Sequence, residues 1–152
     1  MNNYIVNTID SVTLVTMNTV PNTSEALARI FAAIGEAKIN LDMICQTAPY
    51  KDTINLSFTI DDGDLTNMLT VVGNLKKDNS QIVTEVNSGN TKVTIFSELL
   101  KTESGVAAKV FNAISLRDMS IKLITTSDVE ISLLVDALYA DKMAKVLTEE
   151  LG

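Results

Sequence analysis

One short acidic run, Asp61-Asp62-Gly63-Asp64, carries side chains that could bind a divalent cation, because hard cations such as Ca²⁺ prefer carboxylate oxygens. The run lacks the spaced ligands and the distal glutamate of a calcium-binding loop. The same residue types are typical of a turn that leads into a helix, with Asp64 as the helix N-cap. We therefore expect a turn and a helix start here, and no metal site.

The side chains that usually perform catalysis are scarce. The sequence contains no histidine, which excludes Ser-His-Asp and Cys-His catalysis and every metal site that uses histidine. The single cysteine, Cys45, lies in the apolar stretch LDMICQ and is expected to be a buried, inert thiol. No nucleophile–base pair, paired carboxylates or phosphate-cradling glycine loop can be assembled from the other residues. The sequence predicts no catalytic site and no cofactor.

Length and composition limit the core and the partners. The chain has 152 residues, of which 46% are apolar, enough for one ordinary core or two small ones. With 12 Lys and Arg against 19 Asp and Glu, the net charge is −7, which repels nucleic-acid phosphates. The N-terminus has no basic and apolar signal, and no apolar run reaches the roughly 20 residues that span a membrane. We expect a cytoplasmic protein that binds neither nucleic acid nor membranes.

The two halves of the chain repeat one pattern with a period of about 75 to 80 residues. Each half begins with an apolar strand, followed by a helix with apolar residues at i, i+3, i+4 and i+7, which indicates one buried face. Alternating residues then predict half-buried strands near 54–60 and 129–135, and a second helix follows each. The matched positions of the first helices are Leu27, Ile30, Phe31 and Ile34 in one half and Ala107, Val110, Phe111 and Ile114 in the other.

This order of elements predicts the architecture. Two helices between antiparallel strands can cover only one face of a sheet, so we expect an α+β fold of two ferredoxin-like βαββαβ modules in tandem. The predicted strands are near residues 12–17, 40–47, 53–60, 81–87, 92–98, 119–126 and 128–135, and the predicted helices are near 23–37, 64–77, 104–117 and 139–151.

The strand count is uneven, because a fourth strand, QIVTEV, follows the second helix of the first half, and none follows that of the second. The spare segment, residues 4–9, precedes the first repeat as QIVTEV precedes the second. We expect residues 4–9 to cross over and complete the second module. The alternative is a local hairpin through Asp10 and Ser11. The crossover predicts a first module of residues 10–88 and a second of residues 1–9 plus 89–152.

Four strings carry a more specific similarity: ARIFAAIGEAKINLDMICQT and TINLSFTID in the first half, and SGVAAKVFNAIS and ITTSDVEISLLV in the second. They resemble the paired ACT modules of the C-terminal regulatory region of aspartate kinases, over about nine-tenths of the chain. In that family one module is inserted within the other, which implies the same crossover. The family's kinase domain, with its lysine- and glycine-rich nucleotide site, has no counterpart here, and we expect no phosphotransferase activity from this chain.

The resemblance implies an amino-acid effector, commonly lysine or threonine, bound near the loop between the first strand and the first helix. A helix N-terminus there offers N–H groups to the α-carboxylate of the effector. In the first module this loop holds Asn22, Thr23, Ser24 and Glu25, whereas the family has Asp at the first of these positions and Gly at the last. Asn22 and Glu25 can instead form a capping box that satisfies the N–H groups. The sequence leaves both self-capping and effector contact open.

Three further pairs of residues match effector-site positions of the family. The first pair ends a strand of the first module and matches a Gln-Asn pair, of which the Gln contacts the effector. The second matches an Asn-Ile pair and the third a hydroxyl-rich turn, both in the second module. The first and third also have structural interpretations, as a solvated strand end and as turn-forming hydroxyls. In chain order the pairs are Gln46 with Thr47, Ser120 with Ile121, and Thr126 with Ser127.

Our main hypothesis is a regulatory, non-catalytic ACT pair that binds an amino acid and controls an attached or partner kinase catalytic domain or subunit. The alternative is a dimerisation or assembly module whose effector pocket has decayed, which Asn22 and Glu25 motivate. An independent enzyme is a third hypothesis. We also expect a homodimer, because Leu134 follows Leu133 and would place an apolar side chain on the sheet face opposite the helices.

Overall fold

The computed structural model describes residues 3–115 and 118–152 of the chain. The chain forms two compact units: the first unit is Ser11–Ser88, and the second unit is Met1–Asp10 together with Gly89–Gly152. Two long strands, β1 (Ile5–Pro21) and β4 (Val83–Phe96), each contribute residues to both units.

The first unit is a four-stranded sheet with two long helices. Its sheet has the strand order β2-β3-β1-β4 when the strands are numbered along the chain, and β3 pairs antiparallel with both β1 and β2. In chain order the elements are residues 11–21 of β1, α1 (Ser24–Glu36), β2 (Ile44–Gln46), β3 (Thr53–Asp61), α2 (Leu65–Asp78) and residues 83–88 of β4.

Strand β3 explains how the alternating sequence builds the core of the first unit. Ile54, Leu56, Phe58 and Ile60 are each at most 2% exposed, whereas Asn55 between them is exposed. Successive side chains of a strand point to opposite faces, so the four apolar ones share a single face. Burying each fully contributes about 1.5–3 kcal/mol. The helix residues packed into this core are Ile30, Ile34, Met68, Val71 and Leu75.

The second unit has the same plan, with its strands in a different order along the chain. Its elements are residues 5–10 of β1, residues 89–96 of β4, α3 (Leu99–Thr102), α4 (Val106–Ser115), β5 (Ile121–Thr126), β6 (Glu130–Asp136) and α5 (Ala137–Leu151). The strand order is β1-β4-β6-β5, and β6 pairs antiparallel with β4 and β5. Its core includes Val93, Ile95, Val110, Ile131, Leu133, Met143 and Leu147.

The N-terminal strand completes the second unit, as the sequence predicted. Tyr4, just before β1, is buried in the core of the second unit. The Thr91 hydroxyl on β4 donates a 2.8 Å hydrogen bond to the Asp10 carboxylate on β1. When the strands of each unit are counted from the one that precedes its first helix, both sheets have the order 4-1-3-2 of a ferredoxin-like fold. The predicted tandem ferredoxin-like fold is confirmed.

The alternative of a local hairpin at the N-terminus is wrong. β1 runs without reversal through Asp10 and Ser11, although Ser11 has a positive φ of 60°. Strand β4 likewise runs through Gly89, whose φ is 77°. A left-handed residue inside a strand is compatible with a local kink or bulge, and here it does not turn the chain back.

Two expectations about side-chain exposure are wrong. Leu134 on the central strand β6 is fully buried, and it lies opposite Lys92 of β4 and Leu123 of β5. Leu134 therefore adds no exposed apolar surface for a dimer. Cys45, expected to be buried, is half-buried, because β2 is the terminal strand in the sheet order of the first unit.

Two elements of the structure are shorter than the sequence predicts. The predicted strand 40–47 is reduced to β2, although Asp42 and Met43 still bond to the backbone of Thr59 at 3.1 and 3.0 Å. The predicted helix 104–117 is α4, which begins at Val106 and is preceded by the single-turn helix α3. Its last two predicted residues, 116 and 117, lie outside the described residues.

The acidic run forms a turn ahead of α2, as expected, but Asp61 is the residue that caps it. The Asp61 carboxylate accepts a 2.8 Å hydrogen bond from the Gly63 N–H at the start of the single 3₁₀ turn Asp62–Asp64. Asp64 makes no side-chain cap to α2, because its backbone already belongs to that turn. Among the described residues, no group of three His, Cys, Asp or Glu side chains could hold a metal ion. None of the helices described is long and apolar enough to cross a membrane.

Candidate functional site

The connection from β1 into the first turn of α1 holds four of the candidate effector-binding residues. Thr23 is extended, with φ −134° and ψ 145°, and its hydroxyl accepts a 3.1 Å hydrogen bond from the Ala26 N–H. Thr23 is therefore the N-cap of α1, and the capping box between Asn22 and Glu25 is wrong. The reason is that Asn22 still belongs to the end of the sheet, where its N–H donates a 2.9 Å hydrogen bond to the Asp52 carbonyl.

Glu25 follows Ser24 in the first turn of α1 and pairs with a side chain one turn further on. Its Oε1 atom lies 2.9 Å from Nη2 of Arg29, and both side chains are largely exposed. An exposed pair of this kind contributes about 0–1 kcal/mol to stability. The position of Glu25 has a larger consequence for ligand binding, because a carboxylate in the first turn opposes the binding of a second carboxylate at the same helix end.

A tight turn fixes the same end of the first unit. Lys51 and Asp52 have positive φ angles of 49° and 62°, and the flanking residues Tyr50 and Thr53 exchange backbone hydrogen bonds of 2.9 and 3.0 Å. Two consecutive left-handed residues are typical of a type I′ hairpin turn. Because the carbonyl of Asp52 receives the Asn22 N–H, this turn also positions the loop before α1.

Gln46 and Thr47 lie at the end of β2, where the Gln46 side chain is exposed and the Thr47 hydroxyl bonds to β3. Gln46 is exposed and lies opposite Leu56 of β3. The Thr47 N–H donates to the Asn55 carbonyl at 3.0 Å, and its hydroxyl accepts from the Asn55 N–H at 2.9 Å. Both β1 and β2 end toward the start of β3, since Pro21 pairs with Thr53 and Gln46 with Leu56, so the end of β2 and the connection into α1 lie toward one end of the sheet.

The second unit contains a cavity at the corresponding end of its sheet. The cavity has a volume of about 540 Å³, within the range of small-molecule sites. Its walls come from the connection between β4 and α4, from the end of β5 and from the start of β6. The first two of these places correspond to those that hold the candidate residues of the first unit. The residues lining this space, hereafter the Thr126 cavity, are Leu100, Lys101, Ala107, Thr126, Ser127, Asp128 and Ile131.

The lining of the Thr126 cavity combines both charges with hydroxyl groups. Lys101 offers an ammonium group, Asp128 a carboxylate, and Thr126 a hydroxyl that can donate or accept. Lys101 also pairs with Glu98 at 3.5 Å, but this pair is exposed and contributes at most about 1 kcal/mol, so a ligand can compete for the ammonium. The arrangement suits a zwitterion, whose carboxylate and ammonium groups need partners of opposite charge.

Ser127 also builds the turn that forms one wall of the cavity. Its N–H donates a 2.8 Å hydrogen bond to the Glu130 carbonyl, and its hydroxyl oxygen accepts a 3.3 Å hydrogen bond from the Val129 N–H. This is the turn-forming role that a hydroxyl-rich segment predicts. The Ser127 hydroxyl proton is not used in that bond, so the group can still donate to a ligand.

Ser120 and Ile121 do not line the Thr126 cavity. They lie at the start of β5, whereas Thr126 ends it, and the five residue steps from Ile121 to Thr126 span about 16 Å at 3.3 Å per step. Ile121 packs against the apolar core of the second unit. The structure thus brings Thr126 and Ser127 to the cavity and places Ser120 and Ile121 at the opposite end of the strand.

Several lining residues were not among the sequence candidates. Asp128 directly follows Thr126 and Ser127 of the hydroxyl-rich turn, and Lys101 lies in α3, within the connection between β4 and α4, so both belong to segments that the family resemblance singles out. A charged residue next to a matched position is the signal that could have identified them. The remaining three have apolar side chains and give no such signal: Leu100, Ala107 and Ile131.

Comparisons with known proteins agree with this geometry. The sequence profile of the ACT domain matches residues 13–76 and 93–151. An aspartokinase from Bacillus sp. (strain MGA3) is 33% identical over 138 residues, which are 91% of this chain and 34% of that protein. The chain thus spans about a third of the length of the curated relatives it matches.

Solved structures extend the comparison over nearly the whole chain. The ligand-free regulatory subunit of aspartate kinase from Thermus thermophilus superimposes with a TM-score of 0.88 at 23% identity, covering 97% of each chain, which shows a shared fold. A chain from a structure of aspartokinase alpha and beta subunits superimposes with a TM-score of 0.84 at 25% identity, covering 95% of each chain. With two matched segments that together cover most of its length, this chain belongs to the ACT domain family and resembles the regulatory region of aspartate kinases.

Proposed function

We propose that this chain is the regulatory part of an aspartate kinase and that it acts by binding a free amino acid, such as lysine or threonine. The observation that carries the proposal is the Thr126 cavity, in which Lys101, Asp128 and the Thr126 and Ser127 hydroxyls line one space. A free amino acid carries an ammonium and a carboxylate group that are bonded to the same carbon atom. A cavity lined by one ammonium, one carboxylate and two hydroxyls therefore complements it better than it complements a simple anion or cation.

Regulation follows from differential binding. A ligand that prefers one conformation of the chain shifts the equilibrium toward that conformation by its difference in affinity for the two states. A kinase catalytic domain or subunit that also distinguishes the two conformations then changes its activity. The chain itself contributes no catalytic residue to this scheme, and its role is to sense the amino acid.

The partners in this proposal are a kinase catalytic domain or subunit and a second copy of the chain, in the cytoplasm. Support for a catalytic partner comes from the coverage, since similar aspartokinases are about three times as long as the matched region. Further support comes from similar structures described as a regulatory subunit and as alpha and beta subunits. The terminal strands β2 and β5 expose Ile44 and Ile124, at 50% and 43%, as apolar residues that a second copy could cover.

A second candidate function is an assembly module whose effector pocket has decayed. The first unit favours it, because Thr23 caps α1 by itself and Glu25 places a negative charge in the first turn. Under this function neither unit binds an amino acid, and the chain serves only to hold partners together. The two functions differ in whether the Thr126 cavity binds an amino acid.

The discriminating experiment is a thermal unfolding screen of the full chain with each standard amino acid. A ligand that binds only the folded state stabilises it by about 2.7 kcal/mol at a hundred times its dissociation constant, and raises the melting temperature accordingly. We expect lysine, threonine or another amino acid to produce such a rise, and Asp128→Asn to reduce it. Asp141→Asn, an exposed change on α5, serves as the control that should not. Equal melting temperatures with and without every amino acid would favour the assembly module.

A further inference from the structure

The end of β1 contains a β-bulge. At this place β1 has two residues, Asn18 and Thr19, where β3 has the single residue Asn55. The bulge keeps the flanking residues Met17 and Val20 on the same face, and both are fully buried in the core of the first unit. Regular alternation would point one of these two side chains away from that core. The bulge therefore sets the course of the chain from β1 into α1.

Thr19 holds the bulge in a strained backbone conformation. Its φ is 61°, in the left-handed region, which a β-branched residue rarely adopts. Bulges with a left-handed residue usually have glycine there, because glycine has no Cβ to clash with the backbone. A strained conformation persists only where the surrounding structure enforces it, so a specific contact must hold Thr19.

Asn55 supplies that contact and also bonds to the strand on its other side. Its side-chain oxygen Oδ1 accepts a 3.2 Å hydrogen bond from the Thr19 N–H. Its backbone N–H donates to the Thr47 hydroxyl at 2.9 Å, and its carbonyl accepts from the Thr47 N–H at 3.0 Å. Asn55 therefore joins the two segments that hold the candidate residues of the first unit. These are the end of β1, which Asn22 follows, and the end of β2, where Gln46 lies.

We propose that Asn55 is a positioning residue that couples these two segments, so that a change at the end of β2 alters the connection from β1 into α1. The bond to Thr19 offsets the strain of the bulge, and the bonds to Thr47 fix the backbone from which the Asn55 side chain extends. Loss of the Thr47 hydroxyl loosens Asn55, and the loosened side chain then holds the bulge less well. The Asn22 N–H, which bonds to the Asp52 carbonyl, reports the result just before α1. This coupling lies in the first unit and does not depend on the proposed function, which rests on a cavity of the second unit.

Amide hydrogen exchange of the full chain, followed residue by residue by ¹⁵N NMR, tests the coupling. Asn55 is exposed, so Asn55→Ala should fold. In this variant we expect the Thr19 and Asn22 amides to exchange about tenfold faster or more, because the acceptor that holds the bulge is gone. The Thr47 amide should change by less, because alanine retains the carbonyl to which it bonds. Asn55→Asp keeps a side-chain oxygen and should preserve most of the protection. An unchanged rate at Asn22 in Asn55→Ala would overturn the proposal.

Two further variants test the coupling across the sheet. Thr47→Val removes the hydroxyl on the β2 side, and we expect it to speed exchange of the Thr19 amide on β1 about threefold or more. The same change should have no effect on Thr19 when Asn55 is already alanine, because no side-chain bond remains to be loosened. Thr19→Gly removes the strain and should return the Asn22 amide of Asn55→Ala to its original rate.

Asn74→Ala, an exposed change on α2, is the matched control and should leave the Thr19 and Asn22 rates unchanged. The coupling is contradicted if Thr47→Val acts on the Thr19 amide as strongly with Asn55→Ala as without it. Faster exchange of the Asn22 amide in Thr19→Gly alone than in the unaltered chain would contradict the strain at the bulge.

Discussion

The hydroxyl of Thr91 donates a 2.8 Å hydrogen bond to the carboxylate of Asp10, and this bond joins the first strand of the chain to the second unit. Thr91 is fully buried and Asp10 is exposed. In the first unit the hydroxyls of Thr13 and Ser88 lie 3.0 Å apart and join the continuations of the same two strands. Each unit thus uses its own polar contact to hold β1 beside β4.

Removing the Asp10 acceptor should destabilise the second unit. Asp10→Ala leaves the buried Thr91 hydroxyl without its partner, which costs about 1–2 kcal/mol. Asp10→Asn keeps an oxygen acceptor at the same place and should cost less. Denaturant unfolding of both variants and of Thr91→Val, arranged as a double-mutant cycle, measures the coupling. Additive effects of Asp10→Ala and Thr91→Val would show that the bond contributes nothing.

The start of α1 offers a direct test of the observed cap. Thr23→Ala removes the hydroxyl that accepts from the Ala26 N–H and should cost about 0.5–2 kcal/mol of unfolding free energy. Asn22→Ala is the matched control and should change stability by less than about 0.5 kcal/mol, because within the described part of the chain the hydrogen bond of Asn22 comes from its backbone N–H. A larger loss of unfolding free energy in Asn22→Ala than in Thr23→Ala would contradict the Thr23 cap and support the capping box between Asn22 and Glu25.

Two glycines should respond to alanine with opposite signs. Gly105 has a φ of 85°, a left-handed conformation that costs an L-residue about 1–2 kcal/mol, so Gly105→Ala should destabilise by that amount. Gly73 lies inside α2 with nothing within 4 Å of an added Cβ, so Gly73→Ala should stabilise by about 0.5–1 kcal/mol. Thermal unfolding of the two variants checks both signs. Stabilisation by Gly105→Ala would mean that this loop does not need the positive φ.

The proposed homodimer predicts a mass of about twice 16.5 kDa by light scattering at tens of micromolar. If the terminal strands carry the interface, Ile44→Lys or Ile124→Lys should lower that mass, because two like charges would face each other across a two-fold axis. Leu138→Lys, at the start of α5 and 80% exposed, is the control. A mass of 16.5 kDa for the unaltered chain would contradict the dimer.

The fold could be predicted because its signals are local and repeated. The alternation at Ile54, Leu56 and Phe58 specifies a strand with one buried face, and the structure buries all three. The uneven strand count then left only two placements for residues 4–9. The crossover gives each module four strands, and the buried Tyr4 is consistent with it.

Two predictions, the N-cap of α1 and the exposure of Leu134, are wrong because both features depend on tertiary contacts. Asn22, Thr23 and Ser24 are all good N-cap residues, and the spacing to Glu25 favoured the first of them. The hydrogen bond from the Asn22 N–H to Asp52, a residue 30 positions later, decided the cap instead. The predicted exposure of Leu134 is wrong for a similar reason. Alternation assigns a side chain to one face of the sheet but does not say whether other residues cover that face.

The candidate site was predicted only in part. Thr126 and Ser127 line the cavity, but Ser120 and Ile121, matched on the same basis, lie at the other end of β5. A motif match gives positions along the chain, whereas a cavity depends on which strand ends lie together. Lys101, which no motif matches, lines the cavity because the fold places the connection before α4 beside that turn.

Isothermal titration calorimetry of the full chain with lysine and with threonine tests the central claim most directly. We predict a saturable binding isotherm for at least one of them, weakened about tenfold or more by Asp128→Asn and by Lys101→Gln, because each removes a charged partner from the Thr126 cavity. Asp141→Asn should leave the isotherm unchanged. No heat of binding at millimolar amino acid, or an isotherm that neither cavity variant alters, would contradict the account.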